Sequence, residues 1–275
     1  MSQRVRTLVF TNSIPAVRRI TPFLTQLNLP ALSLHSQMMQ KARLRAIERF
    51  TASPNSILIA TDVAARGLDI PGVQLVIHYH VPRAADMYVH RSGRTARAET
   101  EGKSVILCSP DEVNDVHRLV VKVHANVSTG KKGSLRSLSL DPRVVSRLRP
   151  RAQLAKQIAD TEIAKEKGRH EDSVFLQAAE DLGVEYDSEA FEEMDSGRRG
   201  RGKGRKKKER EARDVGKGEV TAMKAELKGL LSQRVNIGVS ERYITGGLGG
   251  IDVDSLVKGD TVSYTHLTLP TILRV

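Results

Sequence analysis

The 275-residue chain has no tryptophan and a single cysteine, Cys108. One cysteine excludes an intrachain disulfide, and its position in the apolar run Ser104–Cys108 predicts a small core residue in a protein of a reducing compartment. No apolar run approaches the roughly 20 residues that a membrane span needs, and no signal peptide is visible, so we expect no membrane partner. Hydrophobic residues make up 39% of the chain. We therefore expect a core in part of the chain and not along its whole length.

Acidic residues are scarce in the first half of the chain. Residues 1–140 carry 19 Lys or Arg and 9 Asp or Glu, a net charge of +10, whereas residues 141–275 carry 25 and 23, a net charge of +2. The basic excess therefore lies in the half with the clearer signs of regular structure. Such an excess indicates a polyanionic partner.

Short apolar runs alternate with helical patterns in this first half. The runs predict strands at Thr7–Phe10, Leu32–His35, Ser56–Ala60, Gln74–Tyr79 and Lys103–Cys108. Apolar residues three and four apart predict helices at about 16–27, 37–51, 84–97 and 111–124. Several strands are apolar on both faces, which is typical of an α/β fold with a parallel sheet and helices on both of its faces.

Polar residues cluster where three of the predicted strands end. The clusters are Asn12-Ser13, His35-Ser36 and Thr61-Asp62. In open α/β sheets ligands bind outside the carboxyl ends of the strands, so these clusters predict a binding edge. Taken singly, Ser13 and Asp62 are equally well explained as helix N-caps, and Gln40 and Arg43 as a solvated helix face. These local explanations leave the joint order and spacing of the clusters unexplained.

Three arginines recur at every third position in the segment Tyr88–Arg97: Arg91, Arg94 and Arg97. On a helix this spacing places them on one drifting face. Guanidinium groups repel one another unless an anion lies among them, and their planar donors fit phosphate oxygens. A solvated basic helix face is the simpler alternative.

The order of these motifs resembles the second RecA-like lobe of DEAD-box RNA helicases. The matching segments are Thr7–Ser13, His35 with Gln40–Arg43, Thr61–Ile70 and His90–Arg97. The resemblance spans roughly residues 5–125 and implies a RecA-like domain over residues 1–135. His90 is typical of this family, since related helicases more often have glutamine there, and together with Thr61–Ile70 it disfavours a DNA helicase.

The resemblance also implies roles for individual residues. Arg94 and Arg97 match the arginine fingers that reach the γ-phosphate of ATP on a partner lobe, and His90 matches a residue that couples the two lobes. Gly67 and Asp69 match positions beside the ribose of ATP. Six further residues match positions that hold the RNA sugar–phosphate backbone: Ser13, Ser36, Gln40, Arg43, Thr61 and Asp62. Backbone contacts of this kind carry little sequence information.

Three residues depart from the family pattern. Ser36 and Ala96 stand where glycine is common, and Ser92 stands where isoleucine or valine is common. Since alanine favours a helix over glycine by about 1 kcal/mol, we expect the fingers to be held more firmly. With these three departures the chain resembles a nucleolar branch of the family that is involved in assembly of the large ribosomal subunit. That branch implies pre-ribosomal RNA and pre-ribosomal proteins as partners of a monomer in the nucleus and nucleolus. Of the three arginines in the triplet, we interpret Arg91 as structural, in contrast to Arg94 and Arg97.

Two motifs of an ATP site are absent from the chain. It contains neither Gly-x-x-x-x-Gly-Lys-Ser/Thr, which cradles phosphates, nor Asp-Glu-Ala-Asp, which holds Mg²⁺. In the family both belong to the first lobe, so we expect ATP and Mg²⁺ to require that lobe and no metal site in this chain. We therefore expect the chain to be an inactive fragment of a longer helicase. The alternative is a non-catalytic RNA-binding module with a helicase-like lobe and a basic tail.

A helical extension is predicted over residues 136–195. Helices are expected at Asp141–Lys167, with an apolar stripe of Leu154, Ile158 and Ile163, and at Asp172–Leu182. The first of these either packs back on the lobe or runs free as a charged helix.

Charged blocks and a dissimilar tail follow. Residues 171–195 carry ten acids and no Lys or Arg, and residues 198–213 carry ten bases and two acids, a pattern that predicts disorder. The basic segment 196–218 fits a nuclear localisation signal and an RNA tether. Residues 219–260 predict a short helix at Glu219–Leu231 and a Gly-rich tail, and we interpret residues 261–275 as a sequence artefact without function.

Overall fold

The computed structural model describes residues 5–65, 70–96, 102–124, 136–138, 140–182, 211–233, 235 and 271–274. The chain divides into two compact units, residues 1–147 with 235–275, and residues 148–234. Among the helices of the described residues, none has the combination of length and apolar character that crossing a bilayer requires.

A parallel sheet forms the centre of the first unit. Its strands are β1 (Thr7–Thr11), β2 (Ala31–Leu34), β3 (Ile57–Thr61), β4 (Leu75–His78) and β5 (Lys103–Cys108). They lie in the order β2-β3-β1-β4-β5, and each pair of neighbours is parallel. All five predicted strands are confirmed to within one residue at each end, because short apolar runs of this kind fit a sheet that is buried on both faces.

Two short antiparallel strands extend the sheet beyond β5. They are β6 (Arg136–Ser137) and β7 (Thr271–Arg274), and β7 lies between β5 and β6. The sequence patterns predict neither strand, since β6 has only two residues and β7 lies within residues 261–275, a segment that we interpret from its sequence as an artefact. Four residues of that segment thus belong to the sheet, and residues 261–270 lie outside the described residues.

Helices connect the strands of the first unit. They are α1 (Ile14–Gln26), α2 (Gln40–Ala52), α3 (Asp62–Ala65), α4 (Ala85–Ser92) and α5 (Val113–His124), with a 3-10 turn at Pro110–Glu112. The predicted helices are confirmed, with one substantial difference in length. The predicted helix over 84–97 ends as α4 at Ser92, five residues early.

Alternate residues of β1 pack on opposite faces of the sheet. Leu8 and Phe10 join a buried cluster that includes Phe50 of α2. Val9 belongs to another cluster with Val17 of α1. Burial of each such side chain stabilises the fold by about 1.5–3 kcal/mol. The RecA-like arrangement of a parallel sheet with helices on both faces is therefore confirmed.

A third cluster packs α4 and α5 against β5. Its buried members are Tyr88, Ile106, Cys108, Val116 and Val120. Burial raises the pKa of the Cys108 thiol to about 11, so the group is a neutral, small apolar residue. The prediction that Cys108 belongs to the core is confirmed.

The second unit is a helical hairpin. It contains the part of α6 (Pro142–Leu182) from residue 148 onward and α7 (Lys217–Ser232). Arg151, early in α6, donates to the carbonyl oxygen of Gln233 after α7 at 3.0 Å. Later in α6, Glu162 pairs with Lys224 at 2.7 Å. The pairing of early with late residues shows that the two helices are antiparallel.

Small side chains line the interior of this hairpin. The buried hydrophobic residues are Ala155, Ile158, Ala159 and Ala164 of α6 and Leu227 of α7. Of the predicted stripe only Ile158 is buried, while Leu154 and Ile163 are half-buried. Alanines occupy the interface because the distance between packed helices decreases with the size of the side chains at the contact.

One helix replaces the two that the sequence predicts for residues 141–182. The predicted helix over Asp172–Leu182 is confirmed as the last part of α6. Residues 211–214 form a further helical turn. The disorder expected for the charged blocks therefore does not hold for 171–182 and 211–214, and the remaining residues of both blocks lie outside the described residues.

Candidate functional site

The carboxyl ends of three neighbouring strands, β3, β1 and β4, meet at one edge of the sheet. Asp62 follows β3, Asn12 follows β1, and His80 lies two positions after β4. Arg91 of α4 forms hydrogen bonds to all three residues. The expected convergence of polar residues at this edge is thus confirmed for Asn12 and Asp62. His80 and Arg91 are additional members that the strand ends alone do not predict.

Arg91 is a buried cross-link, with only 1% of its side chain exposed. Its Nε and Nη2 atoms donate to the two carboxylate oxygens of Asp62 at 2.6 and 2.7 Å. Nη2 also donates to Oδ1 of Asn12 at 2.6 Å, and Nη1 donates to the carbonyl oxygen of His80 at 2.9 Å. The guanidinium lies 5.3 Å from the centre of the Phe10 ring. The interpretation of Arg91 as structural is confirmed, because its donors are directed at the protein itself.

His80 is held as a neutral ring beside this cross-link. Its Nδ1 atom accepts a hydrogen bond from the backbone N–H of Asn12 at 3.1 Å, which places any ring proton on Nε2. Burial, followed by the charge of Arg91, lowers the pKa of His80. Asn12 in turn donates to the carbonyl oxygen of Val81 at 3.1 Å. The loops after β1 and β4 are therefore fixed to each other.

Arg91 and Arg94 do not lie on one helical face. Gly93 caps α4, and its N–H donates to the carbonyl oxygen of Val89 at 2.8 Å. Arg91 lies on the buried side of α4, whereas Arg94 lies beyond the end of the helix and is half-buried. The alternative of a solvated basic face is therefore wrong for Arg91 and Arg94.

The segment that carries Arg94 is held by its neighbours. Thr95 is buried, and its hydroxyl donates to the carbonyl oxygen of Val73 at 2.8 Å. Ala96 has a φ of +55°, in the left-handed region, where a residue with a Cβ atom costs about 1–2 kcal/mol. The expectation that Ala96 strengthens a helix around the arginines is wrong, because the helix has already ended. Thr95 fixes this segment instead.

Three of the predicted nucleotide-binding residues lie outside the described residues. They are Gly67, Asp69 and Arg97. Their roles stay predictions.

A second group of candidate residues joins α2 to α3. Arg43 donates through Nη2 to the carbonyl oxygen of Ala64 at 3.2 Å and through Nη1 to Oε1 of Gln40 at 3.2 Å. The Nε atom of Arg43 and the hydroxyl of Thr61 are buried, and neither has a partner within the described part of the chain. Buried polar atoms are nearly always hydrogen-bonded, so these two require an explanation.

The remaining candidate residues differ in exposure. Ser13 occupies the N-cap position of α1, but its hydroxyl makes no capping hydrogen bond. Ser36 and His90 are exposed. Both carboxylate oxygens of Asp62 accept hydrogen bonds from Arg91, and the RNA-binding role of Asp62 stays a prediction.

A buried polar triad links α4 to the sheet. His78 of β4 is fully buried, and its Nε2 atom lies 3.3 Å from the hydroxyl of Ser92 and 3.0 Å from that of Ser104. The two hydroxyls are 3.2 Å apart. Burial, then the charge of Arg91, lowers the pKa of His78 to about 3, so its ring is neutral. This triad explains why Ser92 stands where the family commonly has isoleucine or valine. Its hydroxyl lies within hydrogen-bonding distance of His78 on β4 and of Ser104 on β5.

Acid should destabilise the chain through His78. Between the ordinary pKa of 6.5 and the folded pKa of about 3, the unfolded chain binds a proton that the folded chain does not. This contribution to stability is complete above pH 6.5 and is lost as pH falls towards 3, amounting to about 2 kcal/mol by pH 5. Urea unfolding at pH 7 and pH 5, followed by far-UV circular dichroism because the chain lacks tryptophan, measures the loss. The variant His78→Asn should show a smaller loss, and an equal loss in both proteins would contradict the expectation.

Sequence reasoning misses His78 and His80. The available signal for His78 is the alternation of β4, where the fully buried Val76 and His78 stand two residues apart. A histidine at such a position requires a buried polar partner. Nothing in the sequence identifies Ser92 and Ser104 as those partners, because they lie on other elements.

Metal-binding side chains do not converge in the described residues. Within those residues no three of His, Cys, Asp and Glu come together as a candidate metal site.

Comparisons with known proteins identify relatives over most of the chain. Residues 1–99 match the helicase conserved C-terminal domain family. The chain is 62% identical over 261 residues to the ATP-dependent RNA helicase mak5 of Sclerotinia sclerotiorum, a match covering 92% of this chain and 33% of that protein. It is 63% identical over 260 residues to the ATP-dependent RNA helicase MAK5 of Phaeosphaeria nodorum, covering 93% and 32%. The chain therefore spans about a third of the length of these curated relatives.

Solved structures include similar proteins. One is the E. coli DEAD-box protein SrmB, in a crystal structure with regulator of ribonuclease activity A. Its sequence is 36% identical to that of this chain over the matched part. The match covers 46% of this chain and 71% of that chain, with a TM-score of 0.41.

Proposed function

Because the chain belongs to the DEAD-box helicases and carries their conserved C-terminal helicase domain, we propose that it is the second RecA-like lobe of an ATP-dependent RNA helicase. In this role the carboxyl edge of the sheet holds the RNA backbone. The segment after α4 presents Arg94 and Arg97 to ATP that is bound on a first lobe. The chain thus supplies one half of a composite active site.

The observation that carries the RNA-binding role is the pair of buried polar atoms at this edge. The hydroxyl of Thr61 and Nε of Arg43 have no partner in the described residues, although leaving such a group unsatisfied costs about 1–3 kcal/mol. The sugar–phosphate backbone of RNA offers phosphate oxygens and 2′-hydroxyls, which would satisfy both atoms. The hydrogen bond from Arg43 to Ala64 holds its guanidinium in place for this contact.

The other RNA-binding residues complete the same track. Ser13, Ser36 and Gln40 provide polar groups that follow β1, follow β2 and begin α2. Asp62 and Arg91 keep the ends of β3 and β1 in register. Contacts of these kinds go to the backbone rather than to the bases. Binding is therefore sequence-tolerant and salt-sensitive.

The residues present fit only part of an ATP site. Arg94 provides donors for phosphate oxygens. Gly67 and Asp69 are assigned to the ribose side, and His90 to coupling between the lobes. ATP, when bound, supplies the phosphoryl group whose transfer to water powers the helicase. The phosphate cradle and the carboxylates for Mg²⁺ are assigned to the first lobe, because the chain contains neither motif.

A finer assignment concerns the biological setting. The departures at Ser36, Ser92 and Ala96 support membership of the nucleolar branch that assembles the large ribosomal subunit. We assign pre-ribosomal RNA and pre-ribosomal proteins as partners, action as a monomer, and localisation to the nucleolus. The basic excess of the first unit and the basic segment after it fit an RNA partner.

Substitutions at the two unsatisfied atoms test the RNA-binding role. We expect Arg43→Ala and Thr61→Val each to weaken binding of a short single-stranded oligouridylate by roughly fivefold. Arg43→Ala should also lower the slope of log affinity against log salt by about 0.7, the value for one phosphate contact to a single strand. Fluorescence anisotropy across a salt series measures both quantities.

The matched control is Arg49→Ala. Arg49 is exposed in the last turn of α2, which runs back from the carboxyl edge of the sheet, so its loss removes the same charge away from the proposed track. The RNA affinity of the Arg49→Ala variant, and the slope of its log affinity against log salt, should stay close to those of the unaltered chain. Equal losses for Arg43→Ala and Arg49→Ala would mean that RNA responds to net charge alone and would overturn the proposed site.

A further inference from the structure

Arg18 bridges α1 and the loop that follows β2. It is an exposed residue in the first half of α1. Its Nη2 atom donates to Oε1 of Gln37 at 2.9 Å. Gln37 lies between the end of β2 and the start of α2. The side chain of Arg18 is therefore directed at the carboxyl edge of the sheet.

The residues around Arg18 belong to the proposed RNA track. Gln37 and His35 flank Ser36 in the chain, and Arg18 is close enough to His35 for its charge to contribute, after burial, to lowering the pKa of His35. His35 is buried, and its Nδ1 atom has no partner in the described residues. Ser13, at the N-cap of the same helix, lies five residues before Arg18. Arg18 is thus bonded to the neighbour of one predicted RNA-binding residue, Ser36, and lies on the helix that begins after another, Ser13.

Most of the hydrogen-bonding capacity of Arg18 remains available. A guanidinium has five N–H donors, and the contact with Gln37 uses one of them. Within the described residues Arg18 has no carboxylate partner, in contrast to Arg91 and Arg118. Gln37 restricts the orientation of the guanidinium, which reduces the conformational entropy that binding would otherwise cost.

We propose that Arg18 is a further phosphate-binding residue, which extends the RNA track from β3 and α2 across the β2–α2 loop to α1. The inference rests on the proposed function and names an additional contact for the same ligand. Arg18 would bind an RNA phosphate beyond those held by Arg43 and Thr61. Gln37 acts as a positioning residue, because it orients the guanidinium without contacting the phosphate.

The test uses the complete 275-residue chain and single-stranded oligouridylates of increasing length. Arg18→Gln should weaken binding of the longer RNAs by roughly fivefold and lower the salt slope by about 0.7. RNAs too short to reach the additional phosphate should bind both proteins equally. Gln37→Ala, which keeps the charge, should weaken binding about twofold without lowering the salt slope.

Two comparisons make the outcomes decisive. Arg49→Gln removes an equal charge from the far end of α2 and should have little effect at any RNA length. If Arg43→Gln weakens binding and Arg18→Gln does not, the role of Arg18 is overturned while the proposed function stands. If neither weakens binding, the proposed function itself fails. A loss with Arg18→Gln that is equal at all lengths, or matched by Arg49→Gln, would also overturn the additional contact.

Discussion

Replacement of Asp62 by alanine should lower the free energy of unfolding of the first unit by about 3–5 kcal/mol. The change removes two of the four hydrogen bonds of Arg91 and leaves its guanidinium buried without a counter-charge. Water cannot compensate, because only 1% of the Arg91 side chain and 15% of the Asp62 side chain are exposed. Urea unfolding followed by far-UV circular dichroism measures the loss.

The control for Asp62 is another aspartate of the same unit. Asp115 pairs with Arg118 at 4.0 Å, and their side chains are 77% and 82% exposed. Exposed pairs contribute at most about 1 kcal/mol, so Asp115→Ala should leave the unfolding midpoint almost unchanged. Similar small losses for both variants would show that the cross-link at Arg91 does not hold the strand ends together.

In a longer protein that joins the proposed first lobe to this chain, Arg94→Ala should abolish most of the ATP hydrolysis. Arginine fingers stabilise the charge that develops in phosphoryl transfer, and their loss lowers kcat by about 10³- to 10⁵-fold. RNA affinity should change little, because Arg94 is not assigned to the RNA track. Steady-state ATP hydrolysis at saturating RNA, together with RNA binding by anisotropy, separates the two effects.

Arg83 offers a matched control for this variant. It is exposed in the segment before α4 and carries the same charge. Arg83→Ala should keep kcat within about twofold, since surface charges alter association more than chemistry. A longer protein with no RNA-stimulated hydrolysis even with Arg94 intact would favour the alternative of a non-catalytic RNA-binding module.

The strands, and the edge of the sheet at which the candidate site lies, were predictable from the sequence because both follow from local patterns. Apolar runs identify strands that are buried on both faces, and polar residues after parallel strands must meet at one edge. The inward orientation of the Arg91 side chain was not predictable from such patterns. Its spacing to Arg94 fits a solvated helix face, and only the approach of Asp62 and Asn12, 29 and 79 residues away in the chain, draws it inward.

The end of α4 and the pairing of α6 with α7 depend on contacts that local patterns do not encode. Helix propensity favours continuation through Ala96, but the bond from Thr95 to Val73 holds the chain in another direction. Likewise, the sequence of α6 alone is compatible with a free charged helix. Its alanines are buried only because it pairs with α7, which comes after a long charged segment of the chain. Tertiary contacts override propensity at both places.

The most direct test of a composite active site is RNA-stimulated ATP hydrolysis by the purified 275-residue chain. The chain has the residues that we propose to bind RNA and Arg94, but it has no phosphate cradle and no Asp-Glu-Ala-Asp motif. We therefore expect it to bind RNA and to hydrolyse no ATP above background, with or without RNA. Robust RNA-stimulated hydrolysis by this chain, lost on Arg94→Ala, would contradict the assignment of the cradle and the metal to another lobe.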